Sequence, residues 1–113
     1  MNADLGRIIA EIGVNHCGKL NLAKKLIDES KKIGADFVKF QTYISEELVI
    51  KNSSLAPYQK KNLKKNITQY KMLKKYELNF YNFKKIIDYC RKKKIGFLST
   101  PFDLKSAFFL KQM

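Results

Sequence analysis

Two apolar strands of the same design, one helix apart, leave this chain few ways to fold. The first, Ile8-Ile9-Ala10-Glu11-Ile12-Gly13-Val14, runs into a Gly-bracketed polar turn, Asn15-His16-Cys17-Gly18. The second, Asp36-Phe37-Val38-Lys39-Phe40-Gln41-Thr42, closes on an ammonium, an amide and a hydroxyl. Between them Leu22, Ala23, Leu26, Ile27, Ser30 and Ile33 recur at the spacing of one helix face, and Gly34 follows as a C-cap. Strand, helix and strand within about 35 residues is the size of a βαβ unit, so the strands should be parallel and the crossover right-handed.

The same design returns in Gly96-Phe97-Leu98-Ser99-Thr100-Pro101-Phe102, which ends in two hydroxyls. It follows an amphipathic helix with Phe83, Ile86, Ile87 and Cys90 on one face, Asn79 as N-cap, Lys92 to Lys94 in the last turn and Gly96 as its stop. Three strands delivering polar groups at one end is how a parallel α/β sheet builds a shared site. From Ile44 to Asn66 no period is sustained, which predicts a long functional loop, then a short helix from about Thr68 to Tyr76. Beyond Pro101 a helix opens behind Asp103 as N-cap, and running only to Met113 it would leave Phe108, Phe109 and Leu110 uncovered.

Alternation along the strands sorts their side chains. Ile8, Ala10, Ile12 and Val14 are wholly apolar and should meet the helix layer, so Ile9, Glu11 and Gly13 take the other face. Phe37, Lys39 and Gln41 likewise oppose Val38 and Phe40. An acid beside a base on an inner face is costly unless the two are matched or solvated by a ligand. Glu11 and Lys39 therefore read either as a reactive pair or as an ion pair that braces adjacent strands.

Composition narrows the function classes. The chain has 113 residues, about one domain, and its hydrophobic fraction of 45% excludes wholesale disorder. No apolar run nears the roughly 20 residues of a membrane span, and the N-terminus lacks the layout of a secretory signal. The expectation is a soluble, cytoplasmic protein with no membrane partner. Cys17 and Cys90 are too far apart for a close-spaced metal motif, and reduced thiols are expected. Cys17, next to His16, reads as a small packing residue of the turn, with a nucleophile as the rival reading. The net charge of +13 suggests nucleic acid, but the cations are nearly all lysine, with arginine only at Arg7 and Arg91, and they are scattered in pairs suited to solvated helix faces. No nucleic-acid partner is expected.

At this point the residues resemble a family, the N-acetylneuraminate (sialic acid) synthases and their nonulosonic-acid relatives. The resemblance runs from about Ile8 to Leu110. It is carried by Ile8 to His16 with Gly18, Gly34-Ala35-Asp36 with Val38 to Thr42, and Tyr58-Gln59-Lys60-Lys61-Asn62. Further on it rests on Met72 to Lys75 with Glu77-Leu78, and on Phe97 to Asp103. It implies a (β/α)8 TIM barrel that condenses phosphoenolpyruvate with an N-acetylated amino sugar such as N-acetylmannosamine, giving a nine-carbon acid and phosphate. A divalent metal, Mn2+ or Mg2+, would polarise the sugar aldehyde. By the same resemblance Glu11 is the acid/base or water-positioning residue, Lys39 contacts phosphoenolpyruvate, Gln41 is a substrate-binding amide and Thr100 a hydroxyl at the phosphate. Asn62 or Asn66 would reach the sugar. His16 belongs to the first turn rather than to the metal, whose ligands are expected on strands beyond Met113.

A complete barrel needs roughly 250 residues, so residues 1–113 read as the N-terminal fragment of a barrel domain, its first three or so βα units. The complete enzyme is expected to be a homodimer, and the fragment alone inactive and poorly folded. Two alternatives stay open: a legionaminic or pseudaminic acid synthase fragment with the same chemistry on another sugar, and a small Lys-rich module binding polyanions.

Overall fold

The computed structural model describes residues 6–49 and 57–113, the side chains of 57–63 and 66 excepted. Three strands form one sheet: β1 (Ile9–Gly13), β2 (Phe37–Thr42) and β3 (Gly96–Pro101). They lie in the order β1-β2-β3, both pairs parallel. The helices are α1 (Leu20–Lys32), α2 (Ser45–Leu48), α3 (Pro57–Tyr76), α4 (Phe80–Lys93) and α5 (Leu104–Gln112). This is the expected α/β order, a β-strand followed by helical cover, three times over.

β1 and β2 turn Ile12, Val38 and Phe40 to the helix layer, as their alternation marks them, but Ile8, expected there too, precedes β1 and is exposed. Ile12, Val38 and Phe40 join Ala23 and Ile27 of α1, Phe83, Ile86 and Cys90 of α4 and Phe109 of α5 in one core. Phe40 is its hub, with the rings of Phe97 at 5.7 Å and Phe83 at 6.0 Å. Gly96 stops no helix. That task falls to Lys94, which takes a left-handed φ of 58°, while Gly96 opens β3 because any Cβ there would collide with the Phe37 ring. α1 closes with Gly34 at φ 89°, the Ala35 N–H reaching the Ser30 carbonyl at 3.0 Å. Ile33 falls off the buried stripe and is exposed.

Both predicted N-caps form. The Asn79 side chain accepts the Asn82 N–H at 2.8 Å. The Asp103 carboxylate accepts the Ser106 N–H at 2.7 Å, the Ser106 hydroxyl at 2.8 Å and the Ile44 N–H at 2.8 Å, so one side chain caps α5 and ties it to the end of β2.

Three expectations need correction. The aperiodic stretch after Ile44 is no continuous loop: α2 lies at its start, and α3 begins at Pro57, eleven residues before the helix predicted at Thr68. Phe109 is buried, its ring stacked on Phe80 at 4.2 Å, because α5 turns that edge toward α4; Leu110 is partly covered, and Phe108 is exposed as expected. Cys17 is exposed and packs nothing, its Sγ lying 3.6 Å from the Asn15 carbonyl. Among the described residues no helix is long and apolar enough to cross a membrane.

Candidate active site

On the sheet face away from the core, register brings the predicted residues together. Glu11 pairs with Lys39, Lys39 with Leu98, and Gln41 with Thr100. Period-two alternation then puts Glu11, Lys39, Gln41 and Thr100 on one side of the sheet, toward the C-terminal ends of the strands. The Lys39 ammonium stands 3.6 Å from the Glu11 carboxylate, the two side chains 39% and 55% accessible. An ion pair this open to water contributes only about 0.2–1 kcal/mol in these three strands, so both the reactive and the bracing reading of the pair remain open.

The third strand supplies one hydroxyl to this face, not two. Thr100 points with Gln41, whereas Ser99 turns to the helix side and shares a 2.6 Å hydrogen bond with the Thr42 hydroxyl. The Thr42 hydroxyl, buried, is spent on that bond as well. Asn62, and Asn66 with it, have side chains outside the described residues.

A contributor that residue-type reasoning passes over is Gly13. The β1–β2 register slips between Glu11 and Gly13, so that Gly13 sits opposite Phe40 in a bulge, with φ 57°. A Cβ at this position would lie 3.6 Å from the Gln41 Nε2 and 3.8 Å from the Glu11 Oε1. Gly13 thus forms the wall between the amide and the carboxylate. The signal in the sequence is a glycine closing an apolar strand, but nothing there tells a bulge from an ordinary turn.

His16 is buried behind this wall. Desolvation pulls its imidazole down to about 4, with the Gly13 carbonyl acting in the opposite direction, so the ring is neutral near pH 7. Among the described residues there is no group of three or more His, Cys, Asp or Glu suited to a metal ion. They do not make up a metal site by themselves.

A parallel sheet with an acid, an ammonium, an amide and a hydroxyl converging at one end can hold an anion and move a proton beside it. The NeuB family model matches residues 26–113, more than half of the chain. This chain belongs to the NeuB family. Similar curated relatives include the N,N'-diacetyllegionaminic acid synthases of Campylobacter jejuni, 46% identical over 94% of this chain and 32% of that protein, and of Legionella pneumophila, 47% identical over 91% and 29%. The crystal structure of the N-acetylneuraminic acid synthetase of Leptospira borgpetersenii superposes with a TM-score of 0.71 at 32% identity, covering 99% of this chain and 37% of that one. The chain therefore spans about a third of the length of these NeuB relatives. Its sheet is the corresponding N-terminal arc of a barrel, and the open face carrying Glu11 and Lys39 is the inner one.

Proposed function

We propose that this chain is the part of a sialic-acid-type synthase that carries Glu11, Lys39, Gln41 and Thr100 to the reacting centre. The observation that supports this reading is the Glu11–Lys39 pair, open to solvent at 3.6 Å and flanked in register by Gln41 and Thr100. In the reaction the enol carbon of phosphoenolpyruvate bonds to the aldehyde carbon of an N-acetylated amino sugar. Water adds to the oxocarbenium carbon so formed, and inorganic phosphate leaves.

Each residue has a task suited to its chemistry. Lys39 and Thr100 bind the anionic phosphoenolpyruvate, through charge and through a hydroxyl. Gln41 offers an amide, donor and acceptor at once, to the sugar. When the substrate anion takes over Lys39, the Glu11 carboxylate is released from its ion pair and serves as the base that draws a proton from the attacking water. A divalent metal would supply Lewis acidity at the aldehyde. Its ligands belong, in this proposal, to strands beyond Met113, and no step above passes through it.

The identities of 46% and 47% to diacetyllegionaminic acid synthases favour a legionaminic-type acceptor, and the superposed N-acetylneuraminic acid synthetase keeps N-acetylmannosamine as the other reading. A cytoplasmic, homodimeric complete enzyme is part of the same proposal, following the family resemblance and the cytoplasmic source of phosphoenolpyruvate.

The test joins the 113-residue chain to the part of the Campylobacter jejuni synthase that lies beyond the match. Given phosphoenolpyruvate and either sugar, this chimera should release phosphate and form a nine-carbon acid. Lys39→Met should lower kcat/KM by about 10²- to 10³-fold, as for loss of one charge-stabilising donor. A folded chimera that consumes no phosphoenolpyruvate with either sugar would end the proposal.

A further inference from the structure

His16 occupies the tightest corner of the molecule and uses an expensive side chain to do so. The residue is 1% accessible. Its Nδ1 accepts the Gly18 N–H at 2.9 Å, so the proton of the neutral ring is on Nε2. That Nε2, also buried, has no partner at hydrogen-bond geometry among the described residues, the Gly13 carbonyl acting on the ring only weakly. The ring lies against Phe40, centroids 6.0 Å apart and planes 27° from parallel. A phenyl ring would fill the same space without the roughly 1–3 kcal/mol that an unmet buried donor costs.

What the imidazole adds is its acceptor. Gly18, φ 71°, stands so close to the Lys75 carbonyl at the end of α3 that no side chain fits between them. Its N–H is held by the ring of His16, and the ring is held by Phe40, the residue between Lys39 and Gln41. On the other side lies Gly13, whose bulge separates Gln41 from Glu11. One side chain thus links the turn after β1, the strand bearing Lys39 and Gln41, and the wall of the site, without touching any position open to a substrate.

Resting on the synthase reading above, we propose that His16 is a positioning residue: its imidazole, seated on Phe40 and clamped to Gly18, holds the Gly13–Gly18 turn so that Glu11, Gly13 and Gln41 keep the spacing a substrate requires. The clamp needs an acceptor two residues before Gly18. An asparagine side chain can supply that acceptor, since Asx turns bond the backbone two residues on, and leucine cannot.

The chimera described above, with His16, His16→Asn or His16→Leu, tests this. His16→Leu should lower kcat about 10²-fold, the cost of a misplacement near 1 Å. KM should change far less, and His16→Asn should restore most of the rate, both variants unfolding near the temperature of the parent. Equal losses in the two variants, or losses that follow the folded fraction, would reduce His16 to packing and overturn the proposal, as would a leucine variant of full kcat. A parent chimera without activity counts against the synthase reading, not against the clamp. Crystal structures of the variants then decide: Gly13 and the Gln41 amide displaced with leucine and in place with asparagine supports the clamp, and no displacement overturns it.

Discussion

Glu11 and Lys39 face water across 3.6 Å, and that exposure separates their contribution to stability from their contribution to chemistry. Screening leaves the pair worth less than about 1 kcal/mol, so in the chimera Lys39→Met and Glu11→Gln should each shift urea unfolding by no more than that while lowering turnover by orders of magnitude; a loss of several kcal/mol would support the bracing role. His16 behaves oppositely. Free in the unfolded chain it titrates near 6.5 and in the fold near 4, so on acidification the unfolded state takes up its proton first. The histidine's contribution should be constant above pH 7, and stability should fall by about 3 kcal/mol between pH 6.5 and pH 4, a slope that His16→Asn flattens. Glu46, held down to about 2 by the Lys74 ammonium, loses its contribution only as pH falls from 4.5 toward 2, so unfolding curves at pH 7 and pH 5 isolate the histidine. The shared face of Glu11, Lys39 and Gln41 was legible in the sequence because a strand assigns faces by counting, whereas Thr100 was named by the family resemblance and its face, opposite to that of Ser99, came from the register. His16 and Gly13 were not legible, because their roles depend on a left-handed turn and a bulge, which follow no period.

At the scale of elements, the readable helices were those with one apolar stripe. α4 places Phe83, Ile86, Ile87 and Cys90 on the core side and starts at an asparagine cap, as its spacing predicts. α3 has no such stripe: Lys64, Lys65 and Lys71 are exposed, as are Ile67 and Met72, and its one strong start signal is Pro57 in the first helical position. Periodicity is blind to a helix that is polar nearly all round. The joint between β2 and α5 rests on a single carboxylate. Asp103→Ala removes the cap on Ser106 and leaves the Ile44 N–H without its partner, and should cost about 2 kcal/mol in chemical unfolding. Asp103→Asn, which keeps an acceptor oxygen, should lose less than half of that.

Among the described residues the sheet is an arc whose outer strands, β1 and β3, each pair on one side only. Beside β3 a groove of about 420 Å³ is lined by Ile87, Cys90, Ile95, Phe97 and Leu110, and Leu98 and Ile9 are exposed on the inner face. The 113-residue polypeptide made by itself should therefore form no nine-carbon acid and release no phosphate. A phosphate assay of the purified chain checks this, and turnover there would mean that three strands suffice. Fold class was legible at this scale because strand and helix alternate three times, whereas the acceptor sugar was not, since the stretch expected to meet it follows no pattern. Alternation along β2 carries one more consequence. Val38, Phe40 and Thr42 face the core and Lys39 and Gln41 the opposite face, to which the proposal assigns the chemistry, so a saturation library across this strand should give a comb. Odd positions would tolerate change in growth without the sugar acid and fail in a selection for it, and even positions would fail in both. Ancestral sequences could thus have exchanged substrates through every second codon without renegotiating how the protein folds.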